Sequence, residues 1–192
     1  MSAPSELRGT LLSVNVATVE LLADQGRKVR TGIFKHPVAG PVRLDRLSLA
    51  GDVQVDRRYH GGPDQAIYLY PYEHYAYWRA ALGREDLSPG FFGENFTTEG
   101  ILENATRAGD IFRFGGATLQ VTKPRLPCFK LGLRVGSPNF VGEFLKSGRL
   151  GFYLRVLEEA EVAAGDAIER IASDPPQSTI AEVIAAVAKG SR

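Results

Sequence analysis

Apolar residues alternate with small or polar ones from Leu11 to Val19, the period-two signature of a half-buried strand. Two shorter β-branched or apolar stretches follow, Lys28–Phe34 and Val42–Leu49, with Gly40-Pro41 punctuating between them, and Ala66–Tyr70 is a compact apolar strand. The period then changes: within Tyr72–Leu82, Tyr75, Trp78 and Ala81 recur at helical spacing. Pro71 suits the first helical position, where its missing N–H costs nothing, and Gly83 suits a stop. Leu87–Gly93 has no period and reads as loop. Ile111–Phe114 and Thr118–Thr122 are placed for a hairpin about Gly115-Gly116, Phe140–Lys146 for a short helix, and Gly151–Leu157 and Ala167–Ile171 for closing strands. Gly109-Asp110 and Gly165-Asp166 set the same turn immediately before Ile111 and Ala167.

Many short strands punctuated by Gly and Pro predict a mainly β chain with short helices, a β-barrel or strongly bent sheet with the helices on its rim. The linker candidate is Ser173–Gln177; beyond it Thr179 and Glu182 have capping-box spacing ahead of Ile180–Val187. The expected organisation is one domain over 1–172, then a linker and a single C-terminal helix over 173–192. No repeat of 20 to 50 residues is present.

Composition narrows the chemistry. A lone cysteine excludes an intramolecular disulfide, and neither an apolar leader nor an 18-residue apolar run is visible, so the expectation is a cytoplasmic protein without a membrane span. A net charge of +1 gives no global signal for a nucleic-acid polymer or an acidic membrane. The charge is uneven, however. No acidic residue occurs between Ile111 and Gly142, a stretch that holds Arg113, Lys123, Arg125, Lys130 and Arg134. Such a segment is either a solvated basic face or a local anion site. Cys128 lies inside it, in Lys123-Pro124-Arg125-Leu126-Pro127-Cys128-Phe129-Lys130. The two prolines stiffen the backbone, and the flanking cations favour thiolate, the form that ligates metals or attacks electrophiles; the alternative is a small, inert, buried side chain.

Two further polar knots qualify. Tyr59-His60-Gly61-Gly62-Pro63-Asp64 can present successive backbone N–H groups to a ligand beside an imidazole, or serve as a tight loop before the next strand. Gly93-Glu94-Asn95 sits among Phe91, Phe92 and Phe96, so its acid and amide must find partners if buried, either in a turn or on a ligand. His36, His60 and His74 lack zinc spacing, and no P-loop or dinucleotide fingerprint is present. The tyrosines around Tyr68–Trp78 follow strand and then helix periodicity and read as core and rim packing.

Taken in order, Gly51-Asp52, His60-Gly61-Gly62-Pro63-Asp64, Tyr70-Pro71 with Glu73-His74-Tyr75, Phe92-Gly93-Glu94-Asn95, Gly109-Asp110 and Pro124-Arg125-Leu126-Pro127-Cys128-Phe129-Lys130-Leu131 resemble the MOSC domain family. Together with Thr31-Gly32-Ile33-Phe34-Lys35, they look like its YiiM-like branch. The resemblance covers roughly residues 7–171 and lies in the order and spacing of motifs that are individually weak. It implies a MOSC-type β-barrel-like fold and the molybdenum cofactor, a phosphate-bearing molybdopterin, with Cys128 as metal ligand; no pyridoxal phosphate is expected. It further implies reduction of small N-hydroxylated compounds such as hydroxylaminopurine base analogues, a detoxification, with electrons from a separate flavin or iron–sulfur reductase. YiiM-like proteins usually end in a three-helix module where this chain has room for one helix, a departure that bears on partner choice and on the oligomer, which is possible, rather than on cofactor binding.

The site expected under this resemblance has Cys128 as catalytic residue and molybdenum ligand. Lys35 and Arg125 face phosphate or pterin oxygens, and Lys130 is a further cofactor-binding residue; His60, Gly61 and Gly62 line the cofactor; Glu94 and Asn95 read the pterin. Soft sulfur donors suit molybdenum, and Arg or Lys suits phosphate. The alternatives are a non-catalytic carrier of the cofactor or of sulfur on Cys128, a Cys128 nucleophile with His60 as its base, and a purely structural domain.

Overall fold

The computed structural model describes residues 7–55, 61–173 and 177–190. Twelve strands are formed: β1 (Arg8–Val16), β2 (Glu20–Asp24), β3 (Arg27–Thr31), β4 (His36–Pro37), β5 (Val42–Leu44), β6 (Ile67–Pro71), β7 (Phe96–Glu99), β8 (Ile111–Phe114), β9 (Ala117–Pro124), β10 (Phe152–Glu158), β11 (Ala160–Val162) and β12 (Ala167–Ala172). Among the described residues four α-helices accompany them: α1 (Glu73–Leu82), α2 (Phe129–Val135), α3 (Phe140–Ser147) and α4 (Ile180–Gly190). Among the described residues no helix is long and apolar enough to cross a membrane.

Seven strands close on themselves in the order β12-β8-β9-β10-β6-β7-β1, with β1 returning to β12. Every pairing in this ring is antiparallel except β6 with β7. The barrel expected from many short strands is therefore closed, which removes the exposed edges of an open sheet. Register shifts in β1–β7, β9–β10 and β8–β12 bend the strands around the ring. Phe96 of β7 and Phe112 and Phe114 of β8 are fully buried within the core. A second aromatic cluster of Tyr70, Tyr75, Trp78, Phe92, Phe140 and Phe144 joins α1 and α3 to the sheet, and Trp78 Nε1 donates to the Tyr70 hydroxyl at 2.8 Å.

Several boundaries differ from the sequence reading, each for a physical reason. Pro71 does not begin α1. It ends β6 opposite Thr98, a strand end where a missing donor is tolerated, and Tyr72 takes the N-cap position. The strand expected over Leu11–Val19 stops at Val16, and a separate hairpin of β2 and β3 follows, turned at Gln25-Gly26, where both residues have positive φ. Of Val42–Leu49 only Val42–Leu44 is a strand; the chain turns with Asp45 N bonded to Ser48 O, and Leu49 returns as a single bridge to Leu44. Strands β2, β4, β7 and β11 and helix α2 have no counterpart in the sequence pattern.

The two Gly-Asp turns work alike. Gly109 and Gly165 have φ of 91° and 97°, and the following aspartate accepts from the backbone N–H three residues earlier, Asp110 from Arg107 and Asp166 from Ala163. The capping box is reciprocal: Thr179 N donates to Glu182 Oε2 at 2.7 Å and Glu182 N to Thr179 Oγ1 at 3.2 Å. Thr179→Ala is expected to lower stability by about 1 kcal/mol in thermal or denaturant unfolding, because one part-buried helix-end donor, Glu182 N, loses its acceptor. An unchanged midpoint would show that α4 is held by Ile180 and Ile184 packing alone.

Candidate functional site

An open cleft spanning about 640 Å³, bulk solvent at its mouth included, gathers residues from distant parts of the chain. Its walls are Thr31 to Ile33 with Lys35, Asp52 to Val55, Gln65 and Tyr68 at β6, Gly93 and Asn95 before β7, Arg125, Cys128 and Lys130 after β9, and Tyr153 of β10. Gly32 lets two of these walls meet, since a Cβ there would stand 2.6 Å from the Val53 carbonyl oxygen.

Cys128 ends the Pro-rich turn and is the N-cap residue of α2, with extended backbone and a partly exposed side chain. Arg125 lies beneath it. The residue is only 4% exposed, its guanidinium lies over the Tyr68 ring at 5.2 Å, and one Nη is buried with no hydrogen-bond partner. Burial pushes the Tyr68 phenol well above its ordinary value and raises Tyr153 as well, so both line the cleft as neutral hydroxyls. Tyr68 spends its proton on the Leu150 carbonyl at 2.7 Å.

Opposite, Lys35 is buried, and its Nζ donates to Asp52 Oδ1 at 2.5 Å. Asp52 is itself fixed, accepting from Ala17 N at 2.9 Å and from Asn95 Nδ2 at 2.8 Å. Burial lowers the Lys35 ammonium from its ordinary value, with Asp52 and Glu94 pulling the other way. Asn95 bridges strands: its Oδ1 accepts from Tyr68 N at 3.2 Å and its Nδ2 also reaches Asn15 O at 3.3 Å. The Asn95 amide thus lines the cleft with its hydrogen bonds already engaged.

The structure therefore brings Lys35, Asn95, Arg125, Cys128 and Lys130 into one place. Glu94 is elsewhere. Fully buried, its carboxylate accepts from the Tyr75 hydroxyl, from Gly90 N at 2.8 Å, from Phe92 N at 3.1 Å and from Thr97 Oγ1 at 2.9 Å, and it does not line the cleft. Gly61 and Gly62 are not among the lining residues; Gly62 N donates to Gln54 Oε1 at 3.3 Å, and Gln54 lines the cleft. His60 lies outside the described residues. The acid-free basic segment divides: Arg125 and Lys130 enter the cleft, Arg113 faces Glu169 across β8 and β12, and Arg134 donates to Ile33 O at 2.8 Å while stacking on Phe34 and Phe91. Residues not singled out from sequence are Asp52 as the Lys35 partner, Gln54, Gln65, Tyr68 and Tyr153. A buried lysine demands a carboxylate, but spacing alone does not say which one.

Among the described residues no group of three or more His, Cys, Asp or Glu side chains could hold a metal ion. Any metal in this cleft would have to arrive with most of its ligands. A closed seven-stranded barrel with a thiol and buried cations in a shared cleft defines the class, and the comparisons identify the family. The MOSC domain matches residues 56–169, and the chain belongs to that family, which is associated with the molybdenum cofactor. Within it the chain is YiiM-like: it superposes on the crystal structure of YiiM from Geobacillus stearothermophilus with a TM-score of 0.78 at 32% identity, over 95% of this chain and 85% of that one. It is 43% identical over 162 residues to the Bacillus subtilis protein YflK, covering 84% of this chain and 73% of YflK. It is 32% identical over 185 residues to a protein of Gibberella moniliformis named as a reductase, covering 95% of this chain but only 33% of the fungal protein. Strands β1 to β5 precede the matched segment, yet β1 completes the barrel.

Proposed function

We propose that the cleft binds the molybdenum cofactor, with Cys128 as the protein's ligand to the metal, and that the protein reduces small N-hydroxylated compounds to amines with electrons from a flavin or iron–sulfur reductase. The observation that carries this reading is the buried Arg125 Nη without a partner, in the same cleft as Cys128. An unmatched donor on a cation costs free energy wherever water is excluded, and an anionic ligand removes that cost. Molybdenum favours soft sulfur donors, and a protein offering one thiolate and few other ligands suits a metal already held by a dithiolene.

When bound, the cofactor would supply two-electron redox chemistry in the cleft. The protein's residues do the rest. Cys128 anchors the metal from the stiff turn Pro124–Pro127. Arg125 and Lys130 offer positive charge to the phosphate and pterin oxygens. Tyr68 and Tyr153 give neutral walls that carry no charge to cancel that of Arg125, whose unpartnered Nη is left for the ligand. The fungal relative named as a reductase supports the redox reading.

Protein from a host that makes the cofactor is expected to carry about one molybdenum per chain, lost in Cys128→Ala, and to reduce 6-hydroxylaminopurine with reduced methyl viologen as donor. A folded sample without molybdenum would sink the cofactor assignment. Stoichiometric molybdenum without turnover would leave a carrier.

A further inference from the structure

We infer that Lys35, held in place by Asp52, is the proton donor to the oxygen that leaves the substrate; this rests on the reductase reading above. Reducing an N-hydroxyl compound to an amine consumes two electrons and two protons. The N–O bond breaks and the reductase's two electrons stay with the separating nitrogen and oxygen. One proton passes from the Lys35 ammonium to the departing oxygen, which leaves as water. The second, from solvent, completes the new N–H bond, and Lys35 recovers its proton from solvent.

The described side chains of the cleft leave few donors. Arg125 does not deprotonate. The Tyr68 and Tyr153 phenols are raised by burial. Asp52 accepts three hydrogen bonds, from Ala17 N, Lys35 Nζ and Asn95 Nδ2, and so holds no proton to give. Cys128 is the metal ligand. Lys130 is half-exposed, and solvent competes for its charge. Lys35 has an 8% exposed side chain bonded to a 1% exposed carboxylate. The groups acting on it are Asp52 and Glu94, which favour its charge, and the burial itself, which opposes it and wins. An ammonium destabilised in this way gives up a proton more readily than a surface lysine, the direction that favours general acid catalysis. Its position does not depend on the ligand: the chain is pinned on both sides by Lys35 N to Ile33 O at 2.9 Å and by the approach of Gly90, where a Cβ would come within 2.6 Å of the Lys35 carbonyl oxygen.

Lys35→Arg separates this role from a structural one, because arginine keeps the cation and the Asp52 pairing but has no proton to release. With reduced methyl viologen and 6-hydroxylaminopurine, the variant is expected to keep wild-type molybdenum content and thermal midpoint while kcat falls about 10²- to 10⁴-fold. The wild-type kcat is expected to fall as pH rises through the lowered lysine value, and the residual activity of the variant to lack that limb. A readout independent of activity is the 15N resonance of Lys35 Nζ in protein made without molybdenum: it should titrate below the ordinary lysine range, and lower still in Asp52→Asn. Wild-type kcat in Lys35→Arg, loss of molybdenum from that variant, or an ordinary Lys35 titration would each overturn the inference. A wild-type protein that holds molybdenum but does not turn over would remove the reductase reading and this one with it. An active wild type with an unaffected Lys35→Arg would remove only this one.

Discussion

Glu94→Ala is expected to be the most damaging single substitution in the chain, lowering stability by on the order of 3–5 kcal/mol in urea unfolding. Four donors converge on that carboxylate: the Tyr75 hydroxyl, Gly90 N, Phe92 N and Thr97 Oγ1. Removing it leaves Gly90 N, Phe92 N and Thr97 Oγ1 without that acceptor where water does not reach, and Tyr75 with only the Ser88 carbonyl at 3.2 Å. Three of the four bond Oε1, so Glu94→Gln retains most of the acceptors and is expected to cost less, about 1–3 kcal/mol, chiefly from an amide N–H set against Phe92 N. Burial, opposed by the hydrogen bonds from Tyr75 and Gly90, pushes the Glu94 carboxyl above its ordinary value. The folded state then holds this proton at pH values where the unfolded state has lost it. The contribution of Glu94 to stability is therefore full below the ordinary carboxylate value and declines as pH rises towards the folded value, opposite in sign to ordinary acid denaturation. That slope should vanish in Glu94→Gln, and its persistence there would assign it to another group.

Arg125→Met is expected to divide stability from ligand binding. The guanidinium is almost completely buried and one Nη bonds to nothing, so replacing it by an apolar side chain of similar length should leave the cofactor-free protein as stable or stabilise it by on the order of 1 kcal/mol. Molybdenum content should fall at least tenfold in the same variant, measured on protein from a cofactor-producing host. Arg125→Lys keeps the charge but loses the planar fork and the stacking on Tyr68, and is expected to fall between the two. If Arg125→Met destabilised the cofactor-free protein by several kcal/mol, the arginine would be a structural post and the anion-site argument would fail.

How far these features were legible in the chain depended on whether a local pattern carried them. Strands β1, β6, β8, β9, β10 and β12 alternate or run apolar, and the turns between them contain glycine; the hairpin at Gly115-Gly116 and the capping box at Thr179 and Glu182 follow from spacing alone. Strand β7 is hidden because it is four residues long and Thr97 and Thr98 are buried on its opposite faces, so no apolar–polar alternation marks it. Helix α2 spans seven residues with Gly132 in the middle, too short and too weak in propensity to announce itself. At the site, Cys128, Arg125 and Lys130 were visible as a rigid cationic thiol segment, and Lys35 joins them from about ninety residues away. The Gly93-Glu94-Asn95 knot did signal buried polarity in need of partners. Which partners was a tertiary matter: Asn95 faces the cleft while stitching Tyr68 to Asn15, and Glu94 turns to Tyr75 and the turn at Gly90.

The closure of the ring between β1 and β12 also dictates when the molecule can finish forming. Arg8, Gly9 and Thr10 meet Glu169, Ile168 and Ala167, so the first strand waits for partners about 160 residues downstream. At ribosomal speeds of roughly 5–20 residues per second, that interval lasts on the order of 10–30 s, during which one edge of β1 stays unpaired. Such long-range pairings slow folding and leave a nascent strand open to sticking to its neighbours. The chain's exposure to aggregation is thus concentrated in its synthesis and ends when the last strand seats against the first.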